Sequence, residues 1–213
     1  MLWPHPRETP TSYRPNKAQH SALITGHLLM CTINPWGNKG VTISLRGMVV
    51  QLNPQRIIVN SHSALGDTME YQAFFLMLRS MFPQAEMNCI CNYNTLFLAE
   101  LIPGRCDHYT PLWVNMPSQE EFNQRFTDCV LHGFSDGKPA DLIILLDRRT
   151  VLIKLALSTG CPHVVTFSYF AALYTPRLHF LPWIPRKKIH EIFHYQHLLK
   201  CINPKRYQEC FAV

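Results

Sequence analysis

The sequence lacks several features that would assign a function class at once. No run of about 18 or more apolar residues occurs, so no membrane-spanning helix is predicted. No cluster of lysine and arginine is dense enough to indicate nucleic-acid binding. The eight cysteines include no C-x-x-C pair, and the N-terminus does not have the pattern of a signal peptide. Both observations favour a protein of the reducing cytoplasm over one held by a disulfide framework. Internal repeats and low-complexity tracts are also lacking.

The composition that remains is that of a folded domain. A chain of 213 residues with 47% hydrophobic and 16% charged residues can bury one substantial core, with room for an appendage. The formal net charge of +6 is a mild basic bias. It favours anionic ligands, phosphorylated sugars or an acidic membrane surface, although a solvated basic surface without a single partner remains the alternative.

Changes in composition and in the pattern of apolar residues divide the chain into four segments. Residues 1–19 are rich in proline and polar groups and predict an irregular lead-in. Two stretches of β-forming residues around a turn cluster predict a β-hairpin over 20–54. Residues 55–172 alternate between apolar strands and helices. Residues 173–213 begin with a proline-rich connector and end with a linking helix.

The alternation over the third segment predicts an α/β fold, a Rossmann-like parallel sheet with flanking helices. The predicted strands are Arg56–Asn60, Glu86–Cys91, Asp107–Thr110, Ala140–Asp147 and His163–Phe167. The predicted helices are Met69–Met81, Thr95–Leu101, one from Ser118 to about Leu131 opened by a capping box, Thr150–Ser158 and Lys187–Ile202. Asn203-Pro204 is expected to end the last helix.

The stretch Ser61-His-Ser-Ala-Leu-Gly-Asp67 is the strongest candidate site. It follows the first strand of the alternating series, and ligands of such sheets meet the carboxyl ends of the strands. Gly66 lets backbone approach a ligand, and Asp67 could accept a proton from a sugar hydroxyl. The alternative is structural, because Asp67 or Thr68 could simply cap the following helix.

The order of these motifs resembles the start of the bacterial heptosyltransferases, glycosyltransferase family 9. The Ser-x-x-Gly-Asp loop after a strand and a helix closing in Phe82-Pro83-Gln-Ala85 carry the resemblance. Ala140–Asp147 looks like the family's buried strand, and Arg148 and Arg149 look like the polar residues that follow it. The helix around His190–Leu199 is similar to its interdomain helix, and the resemblance extends from about Arg56 to Asn203.

The resemblance implies the N-terminal acceptor half of a GT-B enzyme. It implies a metal-independent, cofactor-free inverting transfer of heptose from ADP-heptose to a lipopolysaccharide core acceptor. Asp67 would be the general base, and Ser63 and Gly66 would shape the loop. Arg148 and Arg149 would contact an anionic acceptor, since guanidinium groups suit carboxylates and phosphates, although solvation of at least one of them is the alternative.

Members of the family also carry a second, donor-binding half, and no second strand–helix series follows residue 203 here. We therefore expect this chain either to be inactive alone or to use a donor half from a partner chain. A non-catalytic half that binds an acceptor or a partner is the alternative. The expected location is the cytoplasm. The aromatic and basic residues between 169 and 188 could make peripheral contact with the inner membrane. The alternative is that these residues form a packed connector.

A different chemistry is offered by His190-Glu191-Ile-Phe-His194. On a helix, its two histidines share one face, as zinc binding requires, and Glu191 could activate water. This motif keeps a zinc hydrolase as a further hypothesis. Against it, His197 is poorly spaced to complete a tetrahedral site, so no metal ligand is assigned.

Overall fold

The computed structural model describes residues 51–61, 65–97, 105–112, 118–147, 149–167, 178–180 and 191–211. The irregular lead-in and nearly all of the predicted hairpin lie outside these residues, as does most of the aromatic segment between 169 and 188. The described residues form one α/β unit.

Six strands of the described residues form one parallel sheet in the order β3-β2-β1-β4-β5-β6. They are β1 (Arg56–Asn60), β2 (Glu86–Asn92), β3 (His108–Leu112), β4 (Leu142–Leu145), β5 (His163–Thr166) and β6 (Leu178–Phe180). This order is the one typical of Rossmann folds. The prediction of a Rossmann-like parallel sheet is therefore confirmed.

Helices cover both faces of the sheet. They are α1 (Leu65–Met81), α2 (Gln119–His132), α3 (Thr150–Ser158), α4 (Glu191–Ile202) and α5 (Pro204–Phe211). Alternate strand residues point to opposite faces, so a strand such as β1 contributes side chains to two cores. Ile57 and Val59 join the core with Phe74 of α1. Ile58 joins the other core, which contains Phe126 of α2.

At the amino ends of the strands, two aspartates fasten neighbouring strands in the same way. Asp141 Oδ2 accepts the backbone N–H of Arg56 at 3.0 Å, while Asp141 Oδ1 lies 2.6 Å from Arg56 Nη2. Asp107 Oδ2 accepts the N–H of Met87 at 2.8 Å and lies 2.7 Å from Arg79 Nη2. Each carboxylate thus lies just before one strand and accepts a backbone N–H near the start of the adjacent strand.

Several helices and strands begin or end at residues other than those predicted. Helix α1 begins at Leu65 rather than Met69, and β4 is shorter than Ala140–Asp147. Strand β3 includes Pro111, which a central strand would not tolerate but which suits the edge that β3 forms in the described sheet. The segment predicted as a connector supplies β6, whose three residues were too few to show a pattern.

The prediction that Asn203-Pro204 ends the helix before it is confirmed, but the expectation that this helix is the last one is wrong. Helix α4 does end at Ile202, but α5 begins at Pro204. Asn203 accounts for the difference, because its Oδ1 accepts the N–H of Arg206 at 3.0 Å, as an N-cap residue does. Proline at the first helical position costs no hydrogen bond, so Pro204 starts a helix here.

The predicted cap of α2 is confirmed. Ser118 has an extended backbone, and its hydroxyl accepts the N–H of Glu121 at 3.1 Å. Glu121 also lies 2.6 Å from Arg125 one turn later, so it takes part in a second, surface contact. The side chain of Ser118 therefore fixes where α2 begins.

Candidate functional site

The sheet has a topological switch point between β1 and β4. The helix after β1 covers one face and the helix after β4 covers the other, so the chain leaves the two neighbouring strands in opposite directions. In open α/β sheets this divergence opens a crevice at the carboxyl ends of the strands, where ligands bind. The candidate site is therefore this edge of the sheet.

The end of β1 is held firmly at the edge. The N–H of Ser61 donates to the carbonyl of Ile90 at 2.9 Å, and the Asn60 carbonyl accepts the N–H of Leu146 at 3.1 Å. The Ser61 hydroxyl lies 3.2 Å from the Cys89 thiol and is nearly fully buried. Strand pairing thus continues into Ser61, the first residue of the candidate stretch.

The candidate loop itself is shorter than predicted. Gly66 and Asp67 lie in the first turn of α1, so neither Asp67 nor Thr68 occupies the N-cap position that was the structural alternative. A carboxylate in the first turn is favoured by the helix dipole. Ser63 lies outside the described residues, and its predicted role stays a prediction, as do those of Gly66 and Asp67.

At the end of β4, Asp147 and Arg149 form a compact pair. Asp147 Oδ1 accepts the backbone N–H of Arg149 at 2.9 Å, and Asp147 Oδ2 lies 2.6 Å from both Nε and Nη2 of the guanidinium. Arg149 is also the N-cap residue of α3. One predicted acceptor-binding arginine is therefore present at the crevice, already engaged by a carboxylate. Arg148 lies outside the described residues.

Sequence reasoning missed Thr166, the last residue of β5. Its side chain is fully buried at the carboxyl edge, on the face that α3 covers. Within the described part of the chain, its hydroxyl has no hydrogen-bond partner. A threonine at the end of an apolar strand is common in sequences, so the pattern alone carried no signal.

The histidines of the predicted zinc motif do not form a described metal site. His194 is buried, with its ring centroid 6.0 Å from that of Phe167 in an edge-on arrangement. The pKa of His197 is lowered, mainly because the side chain is buried and to a smaller extent because Lys200 and His194 are nearby. His190 lies outside the described residues. Among the residues that are described, no group of three or more potential ligands could hold a metal ion.

No family model matches the sequence, and no curated protein matches it. Solved structures do match the fold. A family 9 glycosyltransferase from Veillonella parvula DSM 2008 is 21% identical, with a TM-score of 0.57 over 72% of this chain and 43% of that chain. The E. coli heptosyltransferase WaaC with ADP is 10% identical, with a TM-score of 0.50 over 74% and 47%. E. coli ADP-heptose lps heptosyltransferase II is 16% identical, with a TM-score of 0.46 over 62% and 36%.

These likenesses concern the fold, which is shared with part of a family 9 glycosyltransferase; the first two structures carry that conclusion. The predicted resemblance is thereby confirmed at the level of architecture. This chain spans less than half the length of each of these three solved structures. Among the described helices, none combines the length and apolar character needed to cross a bilayer.

Proposed function

We propose that this chain is the acceptor-binding half of a glycosyltransferase of the heptosyltransferase type. The observation that carries the proposal is the position of Asp67, in the first turn of the helix that follows β1 and beside the switch point. A carboxylate at that place can meet a ligand at the carboxyl ends of the strands. The fold shared with a family 9 enzyme supports the same assignment.

In the proposed reaction, Asp67 accepts the proton of an acceptor sugar hydroxyl as the oxygen attacks the anomeric carbon of ADP-heptose. The new carbon–oxygen bond forms while the bond from that carbon to the phosphate oxygen breaks. ADP leaves with the bonding electrons, and the configuration at the anomeric carbon inverts. The acceptor would be a lipopolysaccharide core, met at the cytoplasmic face of the inner membrane.

Donor binding would come from a second half like the remainder of the longer structures, supplied by a partner chain if not by this one. A narrower alternative is that the chain binds acceptor or partner without catalysis. This alternative is kept because the chain covers less than half of the length of each of these two solved structures.

The test is transfer from ADP-heptose to a heptose-free core acceptor, measured with purified chain alone and with a candidate donor half. Transfer that disappears in Asp67→Ala, while acceptor binding and the folded state persist, supports the catalytic proposal. Acceptor binding without transfer under either condition supports the non-catalytic alternative. Absence of both binding and transfer rejects the two together.

A further inference from the structure

Arg105 lies in the turn before β3, at the amino edge of the sheet and thus at the end opposite the crevice. Only 7% of its surface is exposed. Among the described residues, none provides a hydrogen-bond partner for its Nε and Nη1 atoms, which are buried. Because arginine stays protonated in proteins, a positive charge lies beneath the surface here with two donors unused.

The surroundings of the Arg105 guanidinium do not compensate its charge. The pKa of Arg105 is lowered, mainly because burial disfavours the charged form, and the nearby Tyr109 and Cys106 oppose this effect. Neither of these neighbours is a carboxylate. A buried charge is costly unless an opposite charge and hydrogen bonds accompany it. The position of Arg105 therefore calls for an anion.

Arg79, in the last turn of α1, brings a second guanidinium to the same turn. Its Nη2 donates to the Arg105 carbonyl at 3.3 Å and lies 2.7 Å from Asp107 Oδ2. Its Nη1 donates to the Ala85 carbonyl at 2.8 Å. Its Nε is buried and has no partner in the part of the chain that the structure describes. Arg79 thus fixes the backbone of Arg105 and adds positive charge beside it.

Asp107 is the carboxylate of this turn, and it is engaged elsewhere. Its Oδ2 accepts the N–H of Met87 at 2.8 Å as well as the Arg79 guanidinium. Its own N–H donates to the Met87 carbonyl at 2.8 Å, so its backbone is held against β2. One carboxylate therefore stands against two guanidinium groups, and the turn keeps an excess of positive charge.

The depth of Arg105 limits what can reach it. A flat protein surface cannot contact a guanidinium that is 93% covered, whereas a small ion needs only a narrow approach. Guanidinium groups bind phosphate through two parallel N–H donors, a geometry that the unused Nε and Nη1 atoms leave open to an oxyanion. A phosphate also carries enough negative charge to offset the excess at this turn.

We propose that Arg105 binds a phosphate group at the amino edge of the sheet, with Arg79 holding the Arg105 backbone in position. The phosphate is either the inorganic ion or the phosphate of a monoester. The site uses no residue of the crevice and stands apart from the proposed function. The alternative counter-ion is a carboxylate of the chain itself outside the described residues, and Glu100, five residues before Arg105, is the candidate nearest in sequence.

The first test is urea denaturation of the whole chain in phosphate and in chloride, at the same pH and ionic strength. A ligand of the folded state raises the folding equilibrium constant about tenfold for each tenfold increase in its concentration above Kd. We expect this rise for the wild type and its loss in Arg105→Met. Arg125→Met removes an exposed arginine that pairs with Glu121 on α2, and it should respond to phosphate as the wild type does.

Arg105→Met also distinguishes a lone charge from an ion pair. Removing one partner of a buried ion pair is strongly destabilising, whereas replacing an uncompensated buried charge by an apolar side chain is not. In chloride, the variant should therefore be at least as stable as the wild type, and in saturating phosphate it should be the less stable of the two. Loss of stability in chloride for both Arg105→Met and Glu100→Gln, without a phosphate effect on the wild type, identifies an internal carboxylate and overturns the proposal.

Calorimetric titration with inorganic phosphate and with glycerol 3-phosphate separates the two sources. Binding of the monoester assigns an organic phosphate, and binding of inorganic phosphate alone assigns an enclosed ion. Arg105→Lys keeps the charge but loses the two-donor fork, so it should weaken binding about three- to tenfold. Failure of both probes to bind, or undiminished binding in Arg105→Met, overturns the site. These measurements need neither donor nor acceptor, so their outcome is independent of sugar transfer.

Discussion

Asp147 binds Arg149 through both its backbone N–H and its guanidinium, at 2.9 and 2.6 Å. The pair lies at the carboxyl end of β4, next to the switch point of the sheet. An arginine predicted to meet an anionic acceptor is thus already neutralised by a neighbouring carboxylate. If an acceptor binds Arg149 as predicted, it must compete with that carboxylate, and acceptor affinity should then depend on Asp147 as well as on Arg149.

The proposed base is tested by a conservative change. Asp67→Asn removes the proton acceptor but keeps the size of the side chain, and we expect transfer to fall about 10²–10⁴-fold, the usual contribution of a positioned base. Acceptor binding should change little. Steady-state transfer rates and acceptor affinity, measured on the same preparation, check both expectations.

The control for that experiment is Asp136→Asn, at the amino edge of the sheet, where the carboxylate pairs with Arg56. Its transfer rate should equal that of the wild type. Full activity in Asp67→Asn would remove Asp67 from the mechanism and leave its place in the first turn of α1 as a purely structural feature.

Asn203 should matter for stability. Its Nδ2 donates to the Leu52 carbonyl at 2.8 Å, and its Oδ1 caps α5 through the N–H of Arg206. Asn203→Ala loses the cap and leaves a carbonyl without this donor, so we expect the free energy of unfolding to fall by about 2–3 kcal/mol. Urea denaturation measures the loss, and Lys205→Ala, at an exposed position of the same helix, should have almost no effect.

Gly133 should resist substitution for steric reasons. A Cβ atom there would lie 2.3 Å from the Cys129 carbonyl oxygen and 2.8 Å from Asn88 Nδ2. Gly133→Ala must therefore displace backbone, and we expect a loss of about 1–3 kcal/mol in unfolding free energy.

The matched comparison is Gly137→Ala. Gly137 has φ +66° but no atom within 4 Å of an added Cβ, so only backbone strain of about 1 kcal/mol opposes the change. Thermal unfolding of the two variants should rank Gly133→Ala as the less stable. The opposite ranking would contradict the close approach at the end of α2.

Glu86 should make the free energy of unfolding depend on pH in the acid range. Burial raises the pKa of its carboxyl, but hydrogen bonds from Ser135 and His108 outweigh that effect and lower the pKa below its usual value. A lowered folded pKa gives stability that is complete above the unfolded pKa and is lost as pH falls through the folded pKa. We expect Glu86→Gln to cost about 1 kcal/mol near neutral pH and progressively less in acid.

Denaturant titrations of wild type and Glu86→Gln between neutral pH and pH ~2.5 test this, spanning the reference carboxyl range. Glu120→Gln, an exposed position at the start of α2, is the control and should leave the pH profile unchanged. A wild-type advantage that stays constant as the pH falls would show that the Glu86 carboxylate is not the group responsible.

The sequence predicted the sheet better than the edge that carries the site. A continuous apolar run such as Leu142–Leu146, which contains β4, has few alternatives, because a buried central strand suits such a run. Strand β6 has three residues, and Pro204 starts a helix only because Asn203 caps it, so neither follows from periodicity. The Asp147–Arg149 pair depends on side-chain geometry after a strand, and Thr166 on register across strands, which single-sequence patterns do not contain.

The most direct measurement of the central claim is binding of core acceptor and of ADP-heptose, titrated separately into the purified chain. If the chain is an acceptor half, acceptor should bind saturably and more tightly than ADP-heptose, with affinity raised by Asp147→Asn. Binding of ADP-heptose alone, or of neither ligand, would contradict the assignment.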